Sequence, residues 1–123
     1  MEYSEAFRRD KRISSYWYIS ILPPHARNTL SETGPLIGFL QGQPELRQTG
    51  AVCFGGADGR PWLSITIVNA TAAGDWASDG AYIAQFNRVE MVCSDFDRRD
   101  FYEQISTRIA EFLQWEIAIE SDE

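Results

Sequence analysis

Between Val89 and Glu123 the spacing of the apolar residues changes twice, and only a strand, a helix and a second strand satisfy such a pattern. Val89, Met91 and Cys93 alternate with Glu90 and Val92 at the period of a strand. Phe101, Ile105, Ile109 and Phe112 then recur at three- or four-residue spacing, joined by Tyr102 and Leu113. Arg98, Arg99, Glu103, Thr107, Arg108 and Glu111 take the opposite side, which predicts an amphipathic helix over 97–113. Ser94, Asp95 or Asp97 can cap its start, and the acidic first turn suits the positive helix end. Trp115, Ile117 and Ile119 alternate in turn with Glu116, Ala118 and Glu120. That is a strand with one face directed at a core and one wet, acidic face.

Upstream, the same reading gives weaker elements. Residues 2–12 carry few apolar positions, Tyr3, Ala6 and Phe7, and so only a faint helical pattern. SYWYISIL, residues 15–22, sets Trp17, Ile19 and Ile21 against Tyr16, Tyr18 and Ser20 as a strand does, and Pro23-Pro24 ends it. Pro35 fits the first position of a short helix running to Gln41 and stopped near Gly42. The clearest hairpin spans 48–70, where QTGAVCFG and PWLSITIVNA flank a loop centred on Asp58-Gly59. Residues 81–93 read as the third strand of a meander, with Tyr82 to Phe86 as a separate pairing or a bulged continuation. The expected class is α+β, with a mostly antiparallel sheet of about five strands, one long C-terminal helix and one or two short helices on one face.

A chain of 123 residues fits one domain, and its 44% apolar and 13% aromatic content supports a packed core. Residues 1–12 and 120–123 are expected to be flexible ends. The net charge of −7 is unevenly placed: residues 1–74 hold seven basic and six acidic groups, and residues 75–123 hold four and twelve. Beyond Arg108 there are five acidic groups and no basic one. Such a surface repels nucleic acid and anionic membrane and suits a basic protein partner. No apolar run approaches the roughly 20 residues of a membrane span. The opening MEYSEAFRRDKR lacks the apolar core of a signal peptide, so a cytoplasmic protein is expected.

Reaction chemistry is sparse. Cys53 and Cys93 stand far apart without CxxC spacing, in the apolar contexts AVCF and MVCS, which predicts packing thiols; a disulfide is the other reading. His25, the single histidine, lies in the loop PPHAR with no nucleophile at a telling spacing, and no motif presents ligands for a metal. DFDRRD gathers Asp95, Asp97 and Asp100 beside Arg98 and Arg99, where capping and ion pairing account for the charges. GGADGR joins two strands and lacks the lysine of a phosphate loop. Neither catalytic residues nor a cofactor are expected. Trp76 differs from the other tryptophans: it stands in the loop TAAGDWASDG between Asp75 and Asp79, as an interface anchor or a residue folded back beneath the domain.

The stretch EMVCSDFDRRDFYEQISTRIAEFLQWEIAIESDE, under a third of the chain, resembles the C-terminal pattern of small bacterial immunity proteins of polymorphic toxin systems, including those paired with type VI secretion and contact-dependent toxins. The shared features are an apolar strand, an acidic helix start, an amphipathic helix with IAEFL, a Trp-containing strand and an acidic end. The resemblance implies a non-enzymatic inhibitor that binds one cognate, basic, cytoplasm-acting toxin and blocks its active site or access to it. Asp75, Trp76, Asp79, Glu116, Glu120 and Asp122 are then the expected partner contacts. An adaptor or secretion chaperone would use the same acidic face, and a small enzyme is the third class.

Overall fold

The alternation of Trp17, Ile19 and Ile21 with Tyr18, Ser20 and Leu22 does form a strand, β1 (Trp17–Leu22), whose first set is buried and second set half-buried. A computed structural model describes residues 16–24, 29–70, 80–94 and 98–121. After β1 come β2 (Ser31–Glu32), α1 (Thr33–Gln41), β3 (Leu46–Gly50), β4 (Cys53–Gly56), β5 (Leu63–Val68), β6 (Gln85–Phe86), β7 (Arg88–Cys93), α2 (Arg99–Leu113) and β8 (Glu116–Ser121). Six strands form one sheet in the order β3-β4-β5-β7-β1-β8, with every neighbouring pair antiparallel. β2 and β6 pair separately. The expected α+β class with a mostly antiparallel sheet is therefore what the chain adopts. Among the described residues the main sheet has six strands against about five expected, and the helix, of fifteen residues, leads into the strand expected after it.

The hairpin expected over 48–70 is divided more finely. QTGAVCFG is two strands, because the β3–β4 register shifts between Gln48 and Gly50 and the chain turns at 51–52. β3, β4, β5 and β7 thus make a four-stranded meander. Gly59, in the Asp58-Gly59 turn, has φ +82°, which an L side chain rarely adopts. At Gly56 a Cβ would stand 2.6 Å from the Pro61 carbonyl oxygen, so the two ends of this hairpin close only around glycine. Residues 81–93 break at Asn87, whose amide accepts from the Ala70 N–H at 2.7 Å and donates to the Ala70 carbonyl at 2.9 Å. The break separates β6 from β7.

One face of the sheet carries the core. Ile19, Ile65 and Met91 lie in register across β1, β7 and β5, and Phe54 continues the row on β4. Leu36 and Leu40 of α1 join this cluster with Phe101, Tyr102, Ile105 and Ile109 of α2, so both helices cover the same face. Helix α1 starts at Thr33, which puts Pro35 at its third position; the first N–H donates to the Ala84 carbonyl at 3.0 Å instead of to a side-chain cap. On α2 the N-cap is Arg98 without a capping side-chain bond, and Asp100 is the acidic residue of the first turn. The capping expected from Ser94 is absent, and Asp95 and Asp97 lie outside the described residues, as do residues 2–12 and His25.

The helix is fixed by aromatic contacts at its start. Trp17 meets Tyr102 edge-on at 5.5 Å, the Arg99 guanidinium lies 4.9 Å over the Trp17 ring, and the Tyr102 hydroxyl donates to the Trp62 carbonyl at 2.7 Å. At its end Gln114 takes the left-handed conformation, and the Trp115 N–H returns to the Ala110 carbonyl at 3.0 Å. That turn sends the chain into β8. No helix among the described residues is long and apolar enough to cross a membrane.

Candidate protein-binding edge

β7 and β8 are both antiparallel to β1 and flank it, so they run parallel to each other with β1 between them. The crossover through α2 therefore delivers the last strand to the rim of the sheet. Among the described residues β8 pairs only with β1. Trp115, half-buried and 5.2 Å from the ring of Phe86, anchors the entry to the strand.

The register then decides what each side chain of β8 does. Ile117 sits opposite Ile21 and Ile119 opposite Ile19, so the two isoleucines share the core-facing side of the sheet. Ile19 and Ile21 are fully buried, yet Ile117 is 38% and Ile119 45% exposed. This corrects the expectation that the Trp115, Ile117, Ile119 stripe completes the core: Trp115 packs against it, and the two isoleucines do not close it. A neighbouring strand on each side and helices above cover β1, whereas among the described residues β8 has a neighbour on one side only. On the opposite face Glu116 stands by Leu22 and Glu120 by Tyr18, and both carboxylates are exposed. Glu116 to Glu120 thus forms an exposed strip with carboxylates on one side and apolar groups on the other.

A partly buried polar cluster lies inward of this strip. Ser20 Oγ donates to Glu90 Oε1 at 2.8 Å, and Arg88 Nε lies 2.7 Å from Glu90 Oε2. The Arg88 contact is an ion pair without a well-directed hydrogen bond, since Nε finds no aligned acceptor. Burial raises the Glu90 carboxyl above the ordinary range, the Ser20 bond and the Arg88 charge oppose this, and the negative charge of Glu120 adds to it. Glu120 therefore projects its field across the same face.

Of the expected partner contacts, Glu116 and Glu120 are brought onto one side of one strand, and Asp75, Trp76, Asp79 and Asp122 lie outside the described residues. Ile117 and Ile119 are interface candidates that periodicity assigns to the core. Local spacing carries no signal for them, because edge position follows from the strand order β3-β4-β5-β7-β1-β8. Trp62 is another exposed aromatic, 53% exposed and 6.1 Å from the ring of Tyr16, at the start of β5.

The remaining candidates for chemistry stand apart from this strip. Cys53 and Cys93 are both free. Cys53 faces Thr66 on the half-polar side of the sheet while Cys93 faces Leu63 on the core side, so the strands hold them apart. Burial pushes the Cys93 thiol up to about 12. Two open depressions lie on the outer side of α2, of about 480 Å³ beside Asp100, Glu103, Gln104 and Thr107 and about 370 Å³ beside Phe39, Glu111 and Phe112, with Arg108 lining both. Arg108 is itself committed to Glu45 at 2.8 Å and Gln43 at 3.1 Å. Among the described residues no group of three or more His, Cys, Asp or Glu could hold a metal ion. Comparison with family models, curated proteins and solved structures finds no significant match.

Proposed function

We propose that this chain is a toxin-neutralising protein of a bacterial polymorphic toxin system, which binds a basic, cytoplasm-acting toxin and blocks its active site or the approach of its substrate. The observation that carries this reading is β8, where every side chain from Glu116 to Glu120 is exposed and two carboxylates stand beside two isoleucines. Desolvated apolar groups ringed by charge are how protein interfaces are built, with the charge guiding encounter and the apolar contact slowing dissociation. The acidic excess of residues 75–123 extends the same field and favours a basic partner. The resemblance of residues 90–123 to immunity proteins supplies the toxin as that partner.

The test is co-expression with the protein encoded by the gene adjacent to this one. Rescue of growth and a stable complex are expected. The double variant Glu116→Lys, Glu120→Lys moves the net charge from −7 by four units to −3. It should weaken the complex about tenfold or more at low salt and flatten its salt dependence, with unchanged stability of the free chain. Growth arrest despite co-expression, with no complex formed, would falsify the toxin-neutralising reading.

A further inference from the structure

We infer that β8 is a strand-addition edge, extended by a segment of the toxin that presents apolar side chains to Ile117 and Ile119 and basic side chains to Glu116 and Glu120. This inference rests on the toxin-binding reading and specifies how the complex forms. Alternate residues of β8 direct their backbone N–H and C=O groups away from β1, and among the described residues β8 has no second neighbour. Those groups are a template for another strand. Pairing with an added strand would also bring a second apolar row against the half-covered isoleucines, which are the exposed large apolar side chains of the described part of β8.

The opposite rim lacks these features. β3 ends in Gly50 and carries the register shift between Gln48 and Gly50, and the Gln48 amide bonds the Gly50 and Ala51 carbonyls at 3.1 and 3.4 Å. Irregular pairing of this kind blunts an edge. Its exposed side chains, Arg47, Gln48 and Thr49, form no apolar row.

Charge selects the occupant. A second copy of this chain would pair β8 with β8 about a two-fold axis, and centring the axis on Ala118 sets Glu116 opposite Glu120 of the other copy at two places. Like charges directly opposite disfavour that ladder. A strand with Lys or Arg at the first and fifth positions and apolar residues at the second and fourth places opposite charges there and meets both isoleucines. The five-residue pattern is palindromic, so it matches in either strand direction.

The probe is the capped peptide Gly-Ser-Lys-Val-Thr-Val-Lys-Ser-Gly, titrated into the isotope-labelled full chain with amide exchange as the readout. Alternate amides within 116–121 should slow about tenfold or more near saturation, with no protection from the peptide in which Glu replaces both Lys. Ala118→Pro and Ile119→Pro provide a second readout, because neighbouring residues direct their N–H groups to opposite edges. One variant should lose its β1 ladder bond and melt at lower temperature. The other should keep its melting temperature and lose peptide binding about tenfold or more.

Unchanged exchange at β8 with the Lys peptide overturns the inference. Equal protection by both peptides does so too, as does a dimer in sedimentation whose β8 amides are already protected. Rescue from the toxin with β8 amides unprotected in that complex removes strand addition and leaves the toxin reading intact. Lys-peptide protection without rescue keeps the edge and removes the toxin as its occupant.

Discussion

Gln114 holds the left-handed conformation, φ 63°, that lets the chain leave α2 and enter β8. Glycine takes this conformation without the Cβ penalty, so Gln114→Gly is expected to stabilise the fold by about 0.5–1 kcal/mol, seen as a rise in melting temperature. The side-chain bond it gives up, to the Glu111 carbonyl, is exposed. Two carboxylates should shape the pH profile in opposite directions. Burial raises Glu90, so the folded state holds this proton more tightly than the unfolded chain; stability falls as pH rises from the ordinary carboxylate range through the raised value. The Arg108 hydrogen bond lowers Glu45, whose contribution is complete above the ordinary range and is lost as pH falls through the lowered value. Urea unfolding at a series of pH values should show Glu90→Gln removing the first slope and Glu45→Gln the second. Cys93, buried and pushed up to about 12, should resist aromatic disulfide reagents at pH ~8 until the chain unfolds.

Element by element, α2 shows how a helical stripe is edited by packing. Phe101, Tyr102, Ile105, Ser106, Ile109 and Ala110 are buried, while Phe112, on the same side by spacing, is 44% exposed and stacks on Phe39 at 4.4 Å. Ile105→Ala should therefore cost about 2–5 kcal/mol in urea unfolding, and Phe112→Ala less than a buried aromatic normally does. Tyr102→Phe keeps the edge-on contact with Trp17 and removes the donor to the Trp62 carbonyl, an expected loss of about 1 kcal/mol. These costs concern the scaffold of β8. Helix α2 is what carries the chain from one side of β1 to the other.

At the scale of the whole molecule, β1 joins two strands that follow it late in the chain, so the sheet closes only when distant segments meet. Such topology predicts refolding in the millisecond to second range, measurable by stopped-flow tryptophan fluorescence. It also predicts a gradient of opening. Native-state hydrogen exchange should place β1 and β7 near the global unfolding free energy and β8, paired on one side among the described residues, well below it. Among the described residues such an edge keeps groups that an added strand can pair with, and in the proposed function the acidic excess of residues 75–123 favours a basic partner.

The sequence by itself determined the element types: the alternation through Trp17–Ile21, Leu63–Ile67 and Val89–Cys93, the helical stripe from Phe101 to Ile109, the stop at Gly42 and the turn at Asp58-Gly59. Local spacing sets which side chains share a face, and each of these follows from neighbours within a few residues. It also located the acid-rich half and placed Glu116 and Glu120 on one side of a strand. Only the tertiary structure decided that β1 lies between β7 and β8, that QTGAVCFG is two strands, and that Ile117 and Ile119 remain exposed while Ile19 and Ile21, in the same alternation, are buried. Whether a shared face is covered depends on strand order and on where the helices end, and both are set by contacts between residues far apart in the chain.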